Sequence, residues 1–95
     1  MYYHIFGFKW KAKATETDKA NAATDILAFQ GAIPGLIETH FGPNTSAHTQ
    51  GYTVAGVMKF QDKASLDAYQ RHPSHLALLD WLVPLIDAVE LDIEV

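Results

Sequence analysis

Tyr3-His4-Ile5-Phe6-Gly7-Phe8-Lys9-Trp10-Lys11 alternates residue by residue between large aromatic rings and small, aliphatic or basic side chains. A period of two belongs to a β-strand, so His4, Phe6, Phe8 and Trp10 share one face, and Ile5, Gly7, Lys9 and Lys11 the other. The stretch from Tyr52 to Phe60 repeats the pattern, with Tyr52, Val54, Gly56, Met58 and Phe60 opposite Thr53, Ala55, Val57 and Lys59. Between these strands, Thr15-Glu16-Thr17-Asp18 supplies hydroxyl and carboxylate caps, and Ala22, Ala23, Ile26, Phe29 and Ile33 then recur at helical spacing. This predicts a helix carried up to the stop signal Pro34-Gly35. Leu36 to Phe41 reads as a second strand, and Gly42 to Gly51 as a surface loop rich in turn formers.

In the second half, Asp62 is a good N-cap for a short helix through Leu66, Ala68 and Tyr69, which must stop near His72 because Pro73 excludes helical geometry in the residue before it. Pro73 suits the first turn of a further helix carrying Leu76, Leu79, Leu82 and Val83 up to Pro84. Val89, Leu91, Ile93 and Val95 then alternate with Glu90, Asp92 and Glu94, a last strand that is wet or salt-paired on one side. The order is β-α-β-β-α-β within one domain, residues 1–95. This is an α+β, ferredoxin-like plan: an antiparallel sheet with helices on one face. The helices leave a second face carrying Ile5, Gly7, Ala55 and Val57. Small residues let sheets approach to about 10 Å, so a second copy of the chain is the economical cover and the half barrel closes into a dimeric α+β barrel. Glu90 and Asp92, if they fell inside that homodimer, would need Lys9, Lys11 or Lys59 as partners.

Composition narrows the function classes. The chain has 95 residues, 48% of them hydrophobic, and a formal net charge of −4. Few and scattered cations on an acidic protein argue against nucleic acid. The absence of cysteine removes disulfides, thiolate catalysis and thiolate metal sites. No apolar run spans a membrane and the N-terminus reads as a strand, so the expected location is cytoplasmic, with no membrane partner. No nucleophile elbow, phosphate loop or paired-carboxylate arrangement is present.

Five local patterns, His4-Ile5-Phe6-Gly7-Phe8-Lys9-Trp10-Lys11, Ile33-Pro34-Gly35, Gly51-Tyr52-Thr53, Phe60-Gln61-Asp62 and Ala68-Tyr69-Gln70-Arg71-His72-Pro73-Ser74-His75, occur in an order and spacing that resembles the stress-responsive A/B barrel (Dabb) domains. The resemblance implies a dimeric α+β barrel. Among its members the chain is similar to the olivetolic acid cyclase-like ones at Tyr69, His75 and His4. There the matching tyrosine and histidine work in a pocket between helices and sheet, promoting aldol cyclisation of a linear polyketide thioester without a cofactor. Val54 and Ile26 stand where the cyclase has a further pocket histidine and tyrosine.

The candidate catalytic pair is therefore His75 and Tyr69. An imidazole can take a proton from carbon next to a carbonyl, and a phenol can steady the enolate that results. The competing reading is a buried hydrogen bond between the two that links the helices across the Pro73 break. His4, Phe6, Phe8, Phe29 and Leu79 are the candidate lining for a small hydrophobic carbonyl ligand. His4 is either a polar point in an apolar pocket or a partly exposed strand end. His72 reads as a cap at the helix break, and His40 and His48 as edge and loop residues. The five histidines do not adopt a metal-ligand spacing, so no metal site is expected. Two other functions fit the same pattern: a non-enzymatic, stress-linked structural or interaction dimer with a filled core, and a cofactor-independent monooxygenase whose histidine deprotonates an aromatic substrate for attack by oxygen.

Overall fold

A computed structural model describes residues 1–95. Its elements are β1 (Tyr2–Trp10), α1 (Glu16–Leu27), β2 (Leu36–Pro43), β3 (Val54–Phe60), α2 (Lys63–Arg71), α3 (Pro73–Leu82), a short 3-10 turn (Val83–Leu85) and β4 (Ile86–Glu94). The strands form one antiparallel sheet in the order β2-β3-β1-β4, with the helices on one side. This is the ferredoxin-like α+β fold that the alternation and the Pro73 break predict.

Each helix begins where a side chain can satisfy its free N–H groups. Thr15 accepts from the Asp18 N–H while Asp18 accepts from the Thr15 N–H, a reciprocal capping box that starts α1. Asp62 accepts from both the backbone N–H and the hydroxyl of Ser65 at the start of α2. The end of α1 departs from the expected one. The helix stops at Leu27, and Ala28 to Gly35 is a chain of tight turns that includes a left-handed Gly31 (φ 86°). Phe29 and Ile33 remain buried through these turns, which is why the spacing of apolar residues reads as continuous helix. β2 runs two residues beyond Phe41 and carries a register shift between Leu36 and Glu38.

The register decides which side chains face the helices. Phe6 lies opposite Gly56, and His4 opposite Met58, so the aromatic face of β1 and the Met58–Phe60 face of β3 form the floor of the core. Ala22, Ile26, Leu66, Leu78 and Leu82 press on it from above. The register of β4 decides where its carboxylates fall. Asp92 pairs with His4 and Glu90 with Phe6, so both acids point to the helix side, while Val89, Leu91 and Ile93 point outward with Ile5, Ala55 and Val57. The lysines of the outer face are therefore not their partners. Lys9 instead lies 4.6 Å from the centre of the Tyr52 ring.

Gly56 is required by its neighbour. A methyl group there would overlap the Phe6 ring, which is buried and stacked 6.0 Å from Phe41. Gly56→Ala is expected to cost about 1–3 kcal/mol in a denaturant melt, the range for overpacking a closed core. An unchanged melt would mean that the Phe6 ring moves aside freely.

Candidate active site

His4 is held by the sheet. It is 2% exposed, and its Nδ1 lies 2.6 Å from Asp92 Oδ1 because the β1–β4 ladder sets the two residues opposite each other. A carboxylate only accepts, so Nδ1 carries the hydrogen and Nε2 is the ring's unengaged edge. Of the two readings for His4, this is the polar point within an apolar wall.

His75 is held by the helix break. His72 takes the extended backbone (φ −64°, ψ 137°) that Pro73 demands, closes α2, and starts α3 by accepting the Ser74 N–H at Nδ1 over 3.1 Å. His72 is thus a cap at both helices. The first turn of α3 carries the buried His75, whose Nδ1 lies 3.2 Å from the carbonyl oxygen of Gln70 in the last turn of α2. A carbonyl also only accepts, so His75 donates from Nδ1 and presents a lone pair at Nε2. Tyr69 is brought beside it: the two rings are 4.3 Å apart between centroids, and Tyr69 is 6.1 Å from His4. Tyr69 and His75 touch through their ring faces and not through the hydrogen bond that the structural reading supposes.

These three residues line a cavity of about 110 Å³ between α3 and the sheet, with Phe6, Phe8, Ile26, Leu78, Leu82 and Ile86 as its apolar walls. Thr39 Oγ1 is the one fully buried side-chain polar atom without a hydrogen-bond partner. The Tyr69 hydroxyl and the Nε2 atoms of His4 and His75 have no hydrogen-bond partner in the protein either, and all three residues line this cavity. Val83, Ala88 and Glu90, the exposed members of the lining, mark its mouth.

Burial sets the protonation states. Desolvation lowers the His75 pKa below the ordinary 6.5, outweighing the Gln70 carbonyl and Glu90, which oppose it. Desolvation also pushes the Tyr69 phenol far up, with Glu90 adding to the effect. At neutral pH the site therefore holds a neutral imidazole and a protonated phenol. The same shift has a consequence for stability. Unfolded imidazole takes up a proton near pH 6.5, whereas folded His75 stays neutral to lower pH, so the unfolded state binds more protons in that window. Stability is expected to fall as pH drops from 6.5 towards the depressed folded value. Thermal melts between about pH 7.5 and about pH 5.5 should show a shallower slope in His75→Gln, and an identical slope would mean that His75 is not desolvated.

Leu79 lines the cavity as the sequence suggests, along with His4, Phe6 and Phe8. Phe29 does not. The turns after α1 place its ring behind the pair, 5.6 Å from Tyr69 and 6.4 Å from His75, where it backs the site and does not face it. Two polar participants were not among the candidates, Asp92 and Glu90. Their alternation with Val89 and Leu91 was the available signal, but only the strand order shows which side the acids take. No three His, Asp or Glu side chains converge to hold a metal ion, and no helix is long and apolar enough to cross a membrane.

An antiparallel ferredoxin-like sheet with a histidine- and tyrosine-lined cavity under its helices defines the class of α+β domain. The model of the stress responsive A/B barrel domain matches residues 2–95, and the chain belongs to that family. A dimeric ferredoxin-like protein of unknown function from Thermobifida fusca YX superposes with a TM-score of 0.85 at 27% identity, over 99% of this chain and 90% of that one. The hydroxynitrile lyase of Passiflora edulis gives a TM-score of 0.89 at 18% identity, over 99% and 92% of the two chains. SnoaB, a cofactor-independent oxygenase from Streptomyces nogalater, gives 0.78 at 11% identity, over 99% and 91%. The last two likenesses show a shared fold. No curated protein matches the sequence.

Proposed function

We propose that the protein is a homodimer in which each protomer binds a compact, apolar carbonyl compound and catalyses aldol-type proton transfer on it without a cofactor. The observation that carries this reading is that His75 and Tyr69, whose rings lie 4.3 Å apart, both line an accessible cavity with apolar walls while Nε2 and the hydroxyl lack a protein partner. His75 Nε2 takes a proton from the carbon next to the carbonyl, and the phenol, kept protonated by burial, donates a hydrogen bond to the developing enolate oxygen. His4, oriented by Asp92, offers a third polar contact on the opposite wall.

The size of the chamber favours a small substrate. An apolar cavity of about 150 Å³ accepts the six carbons of benzene, so about 110 Å³ encloses about four or five non-hydrogen atoms, and a slightly larger ligand extends into the mouth. Cyclisation of a longer acyl chain, as in the olivetolic acid cyclase-like members, would need the mouth at Val83 and Glu90 to accommodate the remainder. Support for the homodimer comes from the outer sheet face, where Leu91 is 59% and Ile93 48% exposed beside Ile5 and Val57, and from the dimeric state of the similar Thermobifida fusca protein.

The reaction can be read before a physiological substrate is known. In D2O, the protein should accelerate exchange of the α-protons of 2-pentanone above the buffer rate, followed by loss of their proton NMR signal. A panel of compact ketones and aldehydes that neither bind nor exchange would remove the proposal.

A further inference from the structure

Glu90 is the one formally charged side chain among the thirteen residues that line the cavity, and no lysine or arginine joins it. Its place follows from the β1–β4 register, which sets it opposite Phe6 on the helix side and at the exposed mouth. Asp92 and Glu94 continue the same row along β4 towards the strand end, opposite His4 and Tyr2. Lys63 on α2 is already engaged by Asp67 at 3.1 Å. A ligand entering this mouth therefore meets negative charge first and finds no fixed positive charge within.

Building on the carbonyl-pocket reading, we infer that Glu90 determines specificity by charge: the site accepts uncharged carbonyl compounds and rejects carboxylates of the same shape. An acid that entered would lose hydration to apolar walls, gain no cation, and face the Glu90 carboxylate across a small space. A ketone incurs none of these costs, and its oxygen can accept from the Tyr69 hydroxyl. Glu90 is a gatekeeping residue here, separate from the His75 and Tyr69 pair that performs the proton transfer.

2-Pentanone and butyrate test this directly, because they share a propyl chain and differ by a methyl group in place of an oxygen anion. Binding of each is measured by NMR titration of the full-length protein and of Glu90→Gln, which keeps the side-chain shape and removes its charge. Wild type should prefer the ketone by at least about tenfold, the scale expected of a partly screened charge pair. Glu90→Gln should narrow that ratio by strengthening butyrate more than the ketone, and Glu90→Lys should favour butyrate. Unaltered ratios in both variants would overturn the charge filter and leave the carbonyl pocket standing. Failure of wild type to bind either compound would overturn the pocket reading and the filter with it. Thermal melts of the variants should match wild type, since Glu90 is exposed and its side chain makes no hydrogen bond that folding needs.

Discussion

Replacing His75 with alanine is expected to lower the rate of α-proton exchange by about 10²–10⁴-fold, the contribution of one well-placed general base. The expectation rests on geometry. Nδ1 is tied to the Gln70 carbonyl, so the ring is fixed with its lone pair at Nε2. The stability cost should be modest because the ring borders a cavity and does not fill a closed core: about 1–2 kcal/mol, within the usual range for a single substitution. His75→Gln separates the two effects further, since glutamine retains a polar group for the Gln70 carbonyl but cannot take up the proton. In wild type the acid limb of the kcat/KM profile should fall below the ordinary imidazole value of 6.5, because burial lowers the His75 pKa. A variant that keeps its rate while losing stability would assign His75 to architecture.

The second large effect is expected at Ile5. This residue lies at the middle of the outer face, with Val57 on one side and Leu91 on the other. Ile5→Asp would place a carboxylate at the centre of a sheet-to-sheet contact, and two-fold symmetry would bury the charge once in each copy. Dimer dissociation should rise at least about 100-fold, given several kcal/mol of desolvation for each unpaired buried ion. Sedimentation at about 10 µM should show a wild-type dimer and a variant monomer with an unchanged circular dichroism spectrum. The spectrum is expected to hold because Ile5 is only partly buried in the isolated chain and packs against no helix. Wild type sedimenting as a monomer would remove the barrel.

What the sequence discloses and what it hides divide along physical lines. Period-two alternation in β1 and β3, the caps Thr15 and Asp62, and the constraint that Pro73 places on His72 are all local, and each is readable from a few neighbouring residues. The end of α1 is not, because Phe29 and Ile33 stay buried through turns that imitate helical spacing. The site divides in the same way. His75 and Tyr69 stand six residues apart across a break that the sequence announces, and their approach follows from it. His4 and Asp92 are separated by 88 positions, and only the pairing of the first strand with the last brings them to 2.6 Å. The place of Glu90 at the cavity depends on the same long-range pairing. Alternation shows that the acids of β4 share a side, but choosing between the two sides requires knowing which residues of β1 they meet.

β4 thus has two occupations that its pleat keeps apart: Ala88 and Glu90 line the chamber and Asp92 holds His4, while the odd positions from Val89 to Ile93 meet the outside. One extra residue inserted midway would exchange these roles beyond the insertion, turning grease inward and carboxylates towards the twin. A change in the length of this segment would therefore disturb both jobs at once.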